Sequence, residues 1–77
     1  MKFTMTSDMQ KVNILSSYKF TDDMPEYQKQ LAFACLEFKR ANLLDSHLCR
    51  LRGRQHLLNA MKVSPRHMDK VLMLLAA

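Results

Sequence analysis

The stretch that decides the fold is QHLLNAMKVSPRHMDKVL, which occupies residues 55–72. Its apolar residues recur at spacings of three and four, which favours helices over strands. Near its middle, Ser64 is a favoured helix N-cap and Pro65 a favoured first helical residue. The stretch therefore predicts two helices joined by a short turn, with Val63 filling the elbow between them.

The second predicted helix has an inward and an outward face. Helical spacing turns four apolar residues toward the core: Met68, Val71, Leu72 and Leu75. The same spacing turns five residues outward: Arg66, His67, Asp69, Lys70 and Met73.

Residues 55–72 are similar to the helix-turn-helix of small bacterial and phage transcriptional regulators. The matching positions are Leu57, Ala60 and Met61 in the first helix, Val63 and Ser64 in the turn, and Met68, Val71 and Leu72 in the second helix. The sequence departs from the pattern at Leu58, where a small residue is usual, and at Lys62, where the family usually has glycine. The resemblance implies a sequence-specific DNA-binding regulator encoded by a phage, a plasmid or a bacterium.

The resemblance also implies which residues contact double-stranded DNA. Residues near the start of the second helix of such a module reach base edges in the major groove, so Arg66 is expected to read guanine. Lys70 and Arg54 are expected to hold phosphates, and Ser64 and His67 complete the predicted set. Asp69 lies on the same predicted face and would repel phosphate.

The charge distribution independently favours a polyanion as partner. Residues 1–38 contain four Lys and five acidic residues, a balance of −1, whereas residues 39–77 contain eight Lys or Arg and two Asp, a balance of +6. A basic half beside a nearly neutral one is typical of nucleic-acid-binding proteins. A solvated basic face with no partner is the alternative.

N-terminal to this motif, the sequence predicts further helices. Asp23 is the expected N-cap of a helix with Pro25 in its first turn, which ends or bends near Asn42. Its apolar stripe comprises Tyr27, Leu31, Ala34, Cys35 and Phe38.

Two other segments are less regular. Residues 43–52 are expected to be helical, with Leu44, Leu48 and Leu51 on one face. Gly53 is expected to interrupt the helix, since glycine accepts a positive φ without steric cost. Residues 1–20 are expected to be an arm or a short helix capped by Ser7 or Asp8.

A chain of 77 residues forms one domain with a small core. We expect an all-α domain of three to four helices, in which residues 21–77 contain the helix-turn-helix. Because the sequence given ends directly after that motif, no β-hairpin wing is expected.

The C-terminal run of residues 72–77 is apolar on all sides of a helix. It is expected either to pack in the core or to bind a partner through Met73, Leu74 and Leu75. A homodimer would suit a module that reads only a half-site of DNA. The alternative function is a helical adaptor or anti-factor that binds and regulates another protein, for which the seven methionines are suited.

The sequence offers little for catalysis or metal binding. The three histidines lie far apart, Cys35 and Cys49 lack zinc-ligand spacing, and a single glycine excludes a phosphate loop. We therefore expect no enzyme, cofactor or metal. Because no apolar run approaches about 18 residues and no export signal is recognised, we expect no membrane partner, a cytoplasmic location and buried, free cysteines.

Overall fold

The computed structural model describes residues 6–19 and 21–76. This part of the chain contains four α-helices and no strand: α1 (Ser7–Leu15), α2 (Glu26–Leu44), α3 (His47–Val63) and α4 (Met68–Ala76). A single 3-10 turn, Pro65–His67, leads into α4. The small all-α domain is thereby confirmed, whereas the helix-turn-helix within it stays a prediction.

The N-cap of α1 is Thr6, one residue before Ser7 and two before Asp8, the two predicted caps. The hydroxyl of Thr6, rather than of Ser7 or Asp8, accepts a hydrogen bond from the backbone N–H of Met9 at 3.2 Å. Val12 and Leu15 are buried in the same core as the later helices. Residues 6–19 therefore contain a short helix, Ser7–Leu15, that packs into the domain.

Helix α2 has different ends from those predicted. Pro25, not Asp23, is its N-cap, and no side chain caps it there. The helix continues past Asn42 and stops at Asp45, which has φ 49° and ψ 48°, in the left-handed region. Aspartate is among the few non-glycine residues that are found there with any frequency, and its N–H donates to the Ala41 carbonyl.

Gly53 does not interrupt the helix: it lies inside α3 and has no positive φ. The helix starts instead after Ser46, whose hydroxyl accepts from the Cys49 N–H at 3.2 Å. A Cβ at position 53 would lie 2.8 Å from two ring carbons of Phe38 on α2. Gly53 therefore allows two helices to approach each other closely.

The core lies between an antiparallel pair, α2 and α3, and the two shorter helices. Phe38 packs beside Gly53, and Gln30, earlier in α2, is hydrogen-bonded to His56, later in α3. The two helices therefore run in opposite directions. Helix α1 packs against α2, and α4 against α3. The predicted stripe of α2 is buried as expected, and both cysteines are buried and free.

The inward face of α4 differs from the predicted one. Val71 and Leu74 are completely buried, whereas Met68 and Leu72 are about half exposed. Val63 is also half exposed, so it does not fill the elbow. The 3-10 turn before α4 has about three residues per turn, which rotates the following residues relative to a continuous α-helix.

Candidate functional site

The residues predicted to contact DNA do not form one free surface. Arg66 is exposed and has no carboxylate partner among residues 6–19 and 21–76. The Ser64 hydroxyl lies 2.6 Å from Nδ1 of His67. The His67 ring in turn stacks on Tyr27, with centroids 4.2 Å apart and planes 19° apart. Ser64 and His67 are thus bound to each other and to α2.

Lys70 was predicted to face outward, and it is instead half buried against Tyr18. Its ammonium donates to the Tyr18 hydroxyl and lies 4.6 Å from the centroid of that ring, a cation–π contact. Burial, together with the neighbouring Tyr18, raises the pKa of Tyr27 to about 12. Lys70 and Tyr18 therefore join α4 to the segment between α1 and α2.

Arg54 lies away from Arg66. It precedes Val63 by nine residues of α3, or about 14 Å along the helix axis. With Lys11 and Arg50 it lines a cavity of about 330 Å³ at the start of α1. The predicted DNA-binding set is therefore divided between two parts of the domain.

Arg50 has a structural role in this cavity. Its Nε donates to Oδ2 of Asp8 at 2.9 Å, and its Nη2 donates to Oδ1 of Asp45 at 2.8 Å and to the Ala41 carbonyl at 3.4 Å. These bonds to Asp45 and Asp8 raise the pKa of Arg50. The network joins α1, the end of α2 and the start of α3, and it neutralises the buried Asp8.

Lys11, on the same wall, is also bound within the chain. Its Nζ donates to the Ser7 hydroxyl at 2.8 Å and lies 5.5 Å from the Phe38 ring centroid. Burial lowers the pKa of Lys11, Asp8 opposes that change, and Arg54 reinforces it.

Further exposed apolar side chains lie where α2 ends and along the outside of α3, in addition to Met68, Leu72 and Met73 on α4. Exposed fractions are 82% for Leu43, 68% for Leu44, 56% for Leu48, 50% for Leu51 and 36% for Leu58. We call Leu48, Leu51 and Leu58 the leucine face.

The leucine face lies opposite the side of α3 that enters the core. Positions 48, 51, 55, 58 and 62 follow a spacing of three and four, which places them on one side of a helix. The buried residues of α3 are Cys49, Gly53, Leu57 and Ala60. The helix therefore carries a second row of leucines, interrupted by the polar Gln55 and Lys62, that residues 6–19 and 21–76 leave exposed.

The surroundings of the leucine face are basic. Arg52 and Arg54 are exposed, and at about 100° per residue they lie on its two sides. Residues 46–68 contain five Lys or Arg and no Asp or Glu. The leucine face of α3 is therefore flanked by positive charge on both sides.

The C-terminal interface that the sequence predicted is only partly exposed. Met73 is exposed and Leu75 is half buried, but Leu74 is fully buried in the core and faces no partner. The exposed side of α4 is otherwise formed by Met68, Asp69, Leu72 and Ala76. This side carries no exposed cation, so it is poorly suited to phosphate.

Comparison with protein-family models, with curated proteins and with solved structures finds no match. Within residues 6–19 and 21–76, no helix combines the length and the apolar character needed to cross a bilayer. In the same residues, no three His, Cys, Asp or Glu side chains are grouped so as to hold a metal ion.

Proposed function

We propose that the protein is a small helical adaptor that regulates a partner protein by binding it. The observation that carries this proposal is the leucine face of α3, with Leu43 and Leu44 also exposed at the end of α2. Folded monomers rarely expose several neighbouring large apolar side chains unless the patch binds something. The separate buried stripe of α3 means that the core does not need these leucines.

A second candidate is a DNA-binding regulator, which the absence of acidic residues between positions 46 and 68 favours. Arg52, Arg54, Lys62 and Arg66 are all exposed in this stretch. Because Ser64, His67 and Lys70 are bound within the chain, this candidate rests on phosphate contacts more than on base reading.

Co-purification from the cells that produce the protein tests the first candidate. The full chain is compared with a Leu48→Ser/Leu51→Ser variant and with Met73→Ser as a control that changes an exposed apolar residue on α4. We expect the same partner with the unchanged chain and the control, and its loss from the double variant. Retention of that partner by the double variant, with its circular dichroism unchanged, would contradict the proposal.

Fluorescence anisotropy measurements of binding to random duplex DNA at increasing salt concentrations distinguish the DNA-binding candidate from the adaptor proposal. A DNA-binding protein loses affinity steeply with salt, because phosphate contacts release counterions. Under the adaptor proposal, we expect weak binding that the leucine substitutions leave unchanged. Tight, salt-dependent binding that Arg66→Gln reduces would favour the DNA-binding candidate instead.

A further inference from the structure

We infer that the leucine face of α3 binds an acidic amphipathic helix of the partner protein. This inference rests on the proposed adaptor function and specifies the chemistry of the partner. Three observations carry it: the spacing of the exposed leucines, the cations beside them, and the absence of carboxylates along α3.

The spacing of the face suits a helix as occupant. Positions 48, 51, 55, 58 and 62 alternate steps of three and four, as do the seam positions of two helices that pack side by side. From Leu48 to Lys62 this seam is about 21 Å long. A partner helix of four turns would cover it.

The charges beside the seam select the partner. Arg52 and Arg54 occupy the flanking positions that in paired helices face charged side chains of the other helix. Lys62 lies at the end of the seam itself and is exposed. Glutamates or aspartates on both flanks of the partner would meet these three cations.

A second copy of the chain fits the face less well. Residues 46–68 contain no carboxylate, so pairing α3 with another α3 would bring cations to cations. In a parallel pair, Lys62 would also face Lys62. A nucleic acid would satisfy the arginines but would leave the leucines uncovered between them.

Titration of fluorescent peptides with the full chain tests the inference. Two peptides of three heptads are used, both with leucine at the seam positions, one flanked by glutamate and the other by lysine. We expect the acidic peptide to bind at least about tenfold more tightly, with an advantage that decreases at high salt.

Two variants assign the binding to the face. Leu51→Ser/Leu58→Ser should abolish binding of the acidic peptide. Arg52→Gln/Arg54→Gln should reduce the preference for it, whereas Lys39→Gln/Arg66→Gln, which removes two exposed cations outside the face, should preserve most of it. Circular dichroism of each variant checks that the helices remain folded.

The outcomes separate this inference from the proposed function. Equal binding of both peptides, or binding that the leucine substitutions do not change, would overturn the acidic-helix inference. If neither peptide binds but the cellular partner is still lost from the leucine variant, the inference fails and the adaptor function stands. A dimeric mass in solution that becomes monomeric in the leucine variant would show that a second copy covers the face, and would also overturn it.

Discussion

Replacing Gly53 with alanine tests whether α2 and α3 need a residue without a side chain where they meet. The added Cβ would lie 2.8 Å from Cε2 and Cζ of Phe38. Carbon atoms that are not bonded prefer a separation of about 3.5–4.0 Å. Phe38 is 1% exposed and its ring must shift to admit the Cβ, and overpacking of this kind costs about 1–3 kcal/mol.

Helix propensity acts in the opposite direction. Alanine is favoured over glycine in a helix interior by about 1 kcal/mol. Because the overlap involves two carbons of a buried ring, we expect it to exceed that gain. Gly53→Ala should then lower the free energy of unfolding by about 1 kcal/mol.

Urea unfolding followed by far-ultraviolet circular dichroism measures this difference. Phe38→Leu provides the control background, because the smaller side chain makes room for the added methyl group. In that background, Gly53→Ala should stabilise the fold through helix propensity. If Gly53→Ala stabilises the otherwise unchanged chain by about 1 kcal/mol, the close approach of the two helices is refuted.

Three further predictions concern the contacts that hold the helices together. Ser46→Ala should lower the free energy of unfolding by about 1 kcal/mol in urea titrations, because it removes the N-cap of α3. Ser17→Ala is the control, since Ser17 is exposed and lies outside the helices, and it should leave the free energy of unfolding unchanged. Arg50→Ala should lower the melting temperature, since it leaves the buried Asp8 without its ion-pair partner; an unchanged melting temperature would argue against the network. Burial and the neighbouring Tyr18 raise the pKa of Tyr27 from 10.0 to about 12, so its contribution to stability is present below pH 10 and is lost as pH rises toward 12. The stability of Tyr27→Phe should therefore fall less over that pH range, and parallel curves for the two proteins would contradict the assignment.

The sequence predicts the fold class well because the helical spacing in α2 is regular and turn-forming residues are few. It predicts the helix boundaries less well. Gly53 suggests a break from its own conformational freedom, but its place in the fold is set by Phe38, fifteen positions earlier. The left-handed residue is Asp45, which hydrogen-bonds Arg50, and no local pattern distinguishes it from other aspartates.

The contacts of the candidate site likewise could not be predicted from local sequence. Lys70 and His67 lie near the start of α4 as the spacing implies, but their tyrosine partners, Tyr18 and Tyr27, are far away in the sequence. Leu48 and Leu51 can be placed on one helix face from sequence alone. Which of the two stripes of α3 enters the core depends on its pairing with α2, and that is a property of the tertiary structure.

The most direct test of the central claim is to map, by NMR, where the acidic amphipathic peptide binds on the isotope-labelled full chain. If the leucine face is the binding surface, the largest shift changes will fall at Leu48, Leu51 and Leu58 and their flanking arginines, and α4 will change little. Changes centred on Arg66 and α4, or no changes at peptide concentrations that saturate the anisotropy signal, would contradict it.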